Sequence, residues 1–241
     1  MNRRYLRHFA LFGKEGQDAL LHSGILVIGA GGIGCSVLYN IAAAGIGKIG
    51  IIDPGRIFLP HLNRQILYDI KSINQMKVDI AKKKLEIFNP DCSIKVYKDK
   101  IQSLPSIIKE YEIVVDCCNN FDTSVFIDRK CYEFKKTLIS ATATGYFGCI
   151  KIVKTYLNSK YPCQSCFDAK EPKQQGISCE GVGVLGAVTN TIGSITATKT
   201  IQEILQFTQD DNFNFFYFDF KKNKFDAYRV LRNTCCKVCS K

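Results

Sequence analysis

A doubly wound α/β sheet, parallel in its first half and partly antiparallel in its second, is what this sequence predicts, and three observations carry the prediction. Short β-branched runs alternate with segments of helical period through about the first 142 residues. The first of these runs, Ile25 to Ile28, leads into Gly29-Ala-Gly-Gly-Ile-Gly34, a G-x-G-x-x-G turn of the kind that joins a strand to a helix. From about residue 143 the alternation changes: Gly145 and Gly148 flank an extended run over Tyr146 to Lys154, as in an antiparallel hairpin. With 241 residues and 46% apolar content the chain can bury a full core, so one domain over 1–241 is expected, its halves dividing near residue 142.

Ile25 to Ile28 is the first strand, Ile33 to Ala44 a helix stopped by Gly45, and Lys48 to Ile52 the second strand, which together make one βαβ unit. Asn74 is placed to cap a helix that runs to Phe88 and stops at Asn89-Pro90, with Lys77 in its first, electropositive turn. Ile94 to Tyr97, Ile113 to Val115 and Leu138 to Ala141 continue the sheet, with helices from Ser103 to Glu110 and Thr123 to Lys135 between them. A Cys-containing loop and a polar stretch from Asp168 to Ser178 follow. A helix from Val184 to Leu205 then carries Gly186, Ala187, Gly193, Ser194 and Ala197, small residues that suit either a tightly packed core helix or a subunit interface. Strands near Asn214 to Phe220 and Phe225 to Leu231 close the pattern.

Composition narrows the function classes. The formal charge of +11 comes from 33 Lys and Arg against 22 acids. The lysines are scattered, and no Arg-rich arm or RNA-binding aromatic signature accompanies them, so a solvated basic surface is favoured over nucleic-acid binding. Ile25 to Asp53 is apolar, but its glycines and turn chemistry argue against a membrane span. The basic start, Met1 to Phe9, has no serines and runs directly into Glu15 and Asp18, so no transit or signal segment is expected. Twelve cysteines then point to thiols or metal ligands in a reducing cytoplasm.

The glycine turn exposes backbone N–H groups and a positive helix end to a phosphate, and Asp53, about 20 residues on, suits ribose hydroxyls. Such a turn also serves dinucleotide oxidoreductases. Arg64 and Lys77 are the discriminating additions, because two cations near a phosphate chain suit a chain that is cleaved. Separately, Cys163-Gln-Ser-Cys166 and Cys236-Lys-Val-Cys239 form two C-x-x-C pairs, the donor set of a closed, structural Zn²⁺ site. Cys235 adjoins the second pair and could replace Cys236 as ligand. Cys35, Cys92, Cys117, Cys131 and Cys149 fall in predicted elements and are expected to be small core residues.

Taken in order, Tyr5-Leu-Arg7-His, Gly29 to Gly34, Leu62-Asn63-Arg64-Gln65, Lys77, Val115-Asp-Cys-Cys-Asn119-Asn120, the paired knuckles and Cys179 resemble the ThiF/MoeB/HesA family over nearly the whole chain. The resemblance implies a Rossmann-like adenylation domain, usually a homodimer, whose first half binds ATP and whose second half carries zinc and receives a carrier. It further implies adenylation of the C-terminal glycine of a small ubiquitin-like sulfur carrier protein, closest to the thiamine thiazole branch, with the molybdopterin branch as the alternative. On this resemblance Gly29, Gly31, Gly32, Gly34, Asp53, Asn63, Gln65, Asn119 and Asn120 bind ATP and Mg²⁺. Arg64 and Lys77 neutralise phosphate charge, and Arg7 reaches the triphosphate of the neighbouring subunit. Cys179 matches a cysteine of sulfur transfer, although adenylation itself needs no thiol.

One departure matters. Asn119 stands where the family has a Mg²⁺-binding Asp, so metal affinity should be weaker unless Asp116 or Asp122 compensates. An inactive nucleotide- or carrier-binding scaffold is therefore a competing reading. An NAD-dependent oxidoreductase is another, and it needs a catalytic side chain that His8, His22 and His61 do not obviously supply.

Overall fold

A computed structural model describes residues 3–118, 120–158, 160–168, 183–207, 213–236 and 238–239. Its centre is one eight-stranded sheet: β1 (Gly24–Ile28), β2 (Lys48–Ile52), β3 (Ser93–Tyr97), β4 (Ile113–Asp116), β5 (Thr137–Thr144), β6 (Phe147–Val153), β7 (Phe215–Asp219) and β8 (Lys224–Tyr228). The spatial order is β3-β2-β1-β4-β5-β6-β7-β8. β3 through β5 pair in parallel because each connection crosses over the sheet, whereas β6, β7 and β8 pair antiparallel. The change occurs at a two-residue hairpin, Gly145-Tyr146, where Gly145 takes φ 55°.

The helices are α1 (Leu6–His22), α2 (Gly32–Ala44), α3 (Lys77–Phe88), α4 (Phe121–Glu133), α5 (Gln164–Asp168) and α6 (Gly186–Ile204). β1 is buried on both faces, which is why it is continuously apolar. Ile25 and Val27 join the layer that includes α2, α3 and α6 residues, while Leu26 and Ile28 join the opposite layer with Ile127 and Cys131 of α4. The small residues of α6 serve this core. A Cβ on Gly193 would lie 2.6 Å from the Ile33 carbonyl oxygen and from Ser36 Cβ of α2, and one on Gly32 would lie 2.9 Å from Thr189 Oγ1. Close helix packing thus accounts for Gly193 and Gly32, as the core reading of this helix anticipated.

Several boundaries differ from the sequence expectation. Asn74 does not cap a helix. It sits in the left-handed region at φ 66°, its N–H donates to the Ile57 carbonyl, and α3 begins at Lys77 behind Met76. The predicted helix from Ser103 is instead a 3₁₀ helix over Pro105–Glu110, which starts where proline's fixed φ and missing N–H are tolerated. The last strand stops at Tyr228. α1 has no counterpart in the sequence analysis. Only Gln17 and Leu20 of it are buried and Phe12 and Gly13 interrupt it with non-helical backbone, yet Leu6, Phe9, Ala10, Leu20 and Leu21 recur at helical spacing and were the signal that could have announced it.

Candidate functional site

In the order β3-β2-β1-β4-β5 the strands are added to one side of β1 and then to the other, and the carboxyl ends of strands at such a switch point are where α/β sheets bind ligands. A cavity of about 420 Å³ lies there. Ile28, Ile52 and Cys117 floor it at the ends of β1, β2 and β4, and the loop after β3 supplies Asp99, Lys100, Ile101 and Gln102.

The three glycines of the turn divide the work. Gly29 adopts φ 95°, and a Cβ there would lie 2.9 Å from the Cys117 carbonyl oxygen. A Cβ on Gly34 would lie 2.0 Å from the Gly29 carbonyl oxygen, so this glycine sets strand-to-helix contact. Gly31 faces open space and lines the cavity, which leaves backbone free to meet a ligand. Gly32, grouped above with Gly31, spends its smallness on Thr189 of α6.

Asp53 closes β2 beside this turn. Its Oδ2 accepts from the Ala30 N–H at 2.8 Å and its Oδ1 from the Gly55 N–H at 2.7 Å, which fixes the carboxylate and leaves further lone pairs on both oxygens. Lys77 opens α3, with its N–H on the Gly55 carbonyl at 3.0 Å and its Nζ 3.4 Å from where a Gly55 Cβ would stand. Both residues line the cavity. His61 senses the charge around it: burial and the positive charges of Lys77 and Arg64 hold its pKa below the ordinary imidazole value. Its Nδ1 accepts from the Phe58 N–H.

Arg64 is not among the cavity-lining side chains. Its Nη1 donates to the Pro60 carbonyl at 2.9 Å and to Asn63 Oδ1 at 3.0 Å, so Arg64 and Asn63 are held by their own loop. That loop presses on α6, where a Cβ on Gly186 would lie 2.3 Å from the Asn63 carbonyl oxygen. Gln65, next in sequence, is buried with its Oε1 lacking a hydrogen-bond partner. Such an acceptor costs about 1–3 kcal/mol until a donor meets it.

On the far rim, Asn120 caps α4, its Oδ1 accepting from the Thr123 N–H at 2.9 Å, and Gln102 Nε2 donates to Thr123 Oγ1 at 3.0 Å. Asp99, Gln102 and Thr123 were missed in the sequence. Their one signal is position, immediately after a strand's carboxyl end or in the first turn of a helix. Neither acid expected to compensate for Asn119 lines the cavity. Asp116 is buried and occupied by the Cys118 N–H and by the Ser124 and Ser140 hydroxyls, and Asp122 is exposed in α4. Among the described residues the acids that line the cavity are Asp53 and Asp99. Mg²⁺ at a phosphate site takes one or two carboxylates together with substrate phosphate oxygens and waters, so this donor set is compatible with Mg²⁺. Asn119 and Cys179 lie outside the described residues.

Arg7 is exposed near the start of α1. Tyr5 seats that end of α1 against Gly45, at the far end of α2 from the glycine turn. Thirteen residues of helix separate these ends by roughly 20 Å. Arg7 therefore does not serve the cavity of its own chain.

The knuckles come together as the spacing predicts. The Sγ atoms of Cys163, Cys166, Cys236 and Cys239 all lie within 4.8 Å of one another, and the neighbouring pairs are 3.8, 3.6 and 3.5 Å apart. A tetrahedron with Zn–S bonds near 2.3 Å has edges of about 3.8 Å, so the four sulfurs fit zinc. Cys235 is exposed and outside the cluster, which settles the ligand choice for Cys236. Hydrogen bonds orient the set: the Asn233 N–H reaches Cys166 Sγ, and buried Asp128 of α4 accepts from the Gln164 N–H at 2.8 Å. The remaining predicted core thiols, Cys35, Cys92, Cys117, Cys131 and Cys149, are all buried. Burial pushes the Cys35 thiol up to about 12.

No helix among the described residues is long and apolar enough to cross a membrane. Residues 3–238 match the model of the ThiF family. The chain is 33% identical over 247 residues to the adenylyltransferase and sulfurtransferase UBA4 of Scheffersomyces stipitis, which covers 98% of this chain and 55% of that protein. It is 29% identical over 243 residues to the sulfur carrier protein adenylyltransferase of Thermus thermophilus, covering 98% of this chain and 90% of the relative. The chain thus spans about half of some curated relatives and most of another. In fold it is similar to the E. coli MccB crystal structure with ATP, at TM-score 0.82 and 22% identity over 100% of this chain and 75% of that one. With the switch-point cavity, the glycine turn and the four-cysteine cluster in place, the chain belongs to the ThiF family.

Proposed function

We propose that this protein is an adenylyltransferase that uses ATP to activate the C-terminal glycine of a small ubiquitin-like sulfur carrier protein. The observation that carries the reading is the convergence of Gly31, Asp53 and Lys77 on one cavity at the switch point of a ThiF-family sheet. The relatives' names, sulfur carrier protein adenylyltransferase and probable molybdopterin-synthase adenylyltransferase, support the same class of substrate. Thiamine thiazole synthesis is the pathway we assign, with molybdopterin synthesis as its alternative.

The carrier carboxylate attacks the α-phosphorus, the bond to the β-phosphate oxygen breaks, and pyrophosphate leaves with the electron pair. Backbone at Gly31 and the start of α2 meets the phosphates, and Asp53 accepts from the ribose hydroxyls. Lys77 neutralises charge building on the α-phosphate, with Arg64 joining it by leaving its own loop. One such contact is worth about 2.7–4 kcal/mol in a preorganised site. Arg7 of a second copy completes the triphosphate site, so the working unit is a homodimer, in the cytoplasm. Zinc, where bound, fixes the tail to the body and leaves no coordination position for chemistry. Cys179 is the candidate for sulfur transfer after adenylation.

Exchange of labelled pyrophosphate into ATP, run with candidate carriers ending in Gly-Gly, tests the reading. Exchange that depends on a particular carrier is the expected result. Nucleotide binding without exchange would instead establish the scaffold reading, which Asn119 in place of an acid favours. Nicotinamide binding would revive the oxidoreductase, although none of the three histidines lines the cavity.

A further inference from the structure

The segment that carries Arg7 is attached to the body in an unusual way. Phe12 and Gly13 break α1, Gly13 at φ 73° and ψ −178°, so residues 3–11 form an arm that continues no straight helix. The arm is largely exposed, with Leu6 54% and Leu11 75% accessible, yet Tyr5 within it is only 1% accessible. Its ring fills a notch that exists because residue 45 is glycine: a Cβ there would stand 2.6 Å from the ring.

The tyrosine hydroxyl accepts from Asn89 Nδ2 at 2.9 Å, and the same amide donates to the Ala42 carbonyl at 2.6 Å, one of the last carbonyls of α2. A second tether runs in parallel. His8 Nδ1 bonds Gln17 Oε1 at 2.8 Å, and Gln17 Nε2 donates to the Ala44 carbonyl at 2.9 Å. Tyr5 and His8 therefore clamp the arm to the last turn of α2 on either side of Arg7. Arg7 itself has no hydrogen bond or ion pair among the described residues, so two buried amides are spent on holding a backbone whose charged side chain is left free.

We propose that Tyr5, held by Asn89 and the Gly45 notch, is a positioning residue that aims Arg7 outward at the triphosphate of a second copy of this chain. The proposal rests on the reading that Arg7 acts in the neighbouring subunit. A tyrosine that only stabilises the fold would affect exchange regardless of what residue 7 is, whereas one that works through Arg7 loses its effect once Arg7 is gone.

The experiment is a double-mutant cycle on carrier-dependent pyrophosphate exchange in the full chain, with kcat and KM for ATP measured separately and the thermal midpoint recorded for each variant. Arg7→Ala is expected to lower kcat by roughly 10²–10³-fold. Tyr5→Ala is expected to lower kcat at least tenfold, with a smaller change in KM, and Tyr5→Ala combined with Arg7→Ala should be no slower than Arg7→Ala alone. Should Tyr5→Ala fail to fold, Tyr5→Phe keeps the ring in the notch and removes the hydroxyl, and its two- to fivefold loss should vanish on the Arg7→Ala background. Losses that multiply in the double variant, or exchange by Tyr5→Ala at the unmodified rate, overturn the positioning role while leaving Arg7 in place. Undiminished exchange by Arg7→Ala overturns the Arg7 reading, and the positioning role with it.

Discussion

The four-cysteine cluster and the glycine-turn cavity are both built from a few polar side chains held by backbone groups, yet they end in opposite chemical states. At the cluster every sulfur faces another sulfur, and one tetrahedral ion would use all four. At the cavity the polar groups are only partly committed. Asp53 keeps lone pairs free, and Lys77 makes backbone contacts but keeps its ammonium available. A site that is satisfied contributes stability, and a site that is held but unsatisfied is prepared for something else. Removal of groups from the two regions should therefore separate stability from activity.

Zinc extraction breaks the comparison most severely. Chelation, or Cys163→Ser, should drop the thermal midpoint sharply, because structural zinc sites contribute on the order of 10–16 kcal/mol. Calorimetry with and without chelator reads this directly. If zinc loss removed exchange and left the midpoint unchanged, the division between the two regions would be wrong.

Lys77→Ala and Arg64→Ala should do the reverse, lowering pyrophosphate exchange by roughly 10²–10³-fold each with the unfolding free energy within about 1 kcal/mol of the starting protein. Arg64 is the sharper test, since its guanidinium bonds its own loop and must move to act. Wild-type exchange in both variants would remove the cavity from the mechanism.

Asn119→Asp should restore a negative charge to a donor set that holds few. An increase of about tenfold in apparent Mg²⁺ affinity during exchange, equivalent to about 1.4 kcal/mol, is the expected result. Titration of exchange rate against Mg²⁺ measures it.

The smallest effect belongs to His61. Its folded pKa is lowered by burial and by Lys77 and Arg64, so the folded protein binds fewer protons at this ring than the unfolded chain does. The corresponding stability is present above about pH 6.5 and is lost as pH falls through the lowered value. His61→Gln should flatten this part of a stability-against-pH curve, read by the unfolding midpoint as a function of pH.

Much of this molecule was legible before folding. The βαβ start, the clustering of the four knuckle cysteines and the proximity of Asp53 and Lys77 to the glycine turn follow from periodicity, repeated C-x-x-C spacing and short chain separation. Asn74 and α1 were misjudged or missed because local signals compete there with tertiary contacts. Asn74 serves a loop that pairs Arg56 with Met76, and α1, whose apolar residues do recur at helical spacing, is broken at Phe12 and Gly13 and held by few buried residues. Asp99, Gln102 and Thr123 were invisible for a different reason: loop side chains gain meaning only from the strand ends that surround them.

The sequence alone determined the chemistry that depends on residue identity: the steric freedom of the glycines, the thiolate donors, the cations and the missing acid at Asn119. Tertiary structure decided what depends on distance. It chose Cys236 over Cys235, occupied Asp116 with hydroxyls, set Gly32 against Thr189, and anchored the Arg7 segment at the end of α2 away from the glycine turn. The physical reason is that hydrogen bonds and metal bonds act over a few ångströms, and separation along the chain does not fix separation in space.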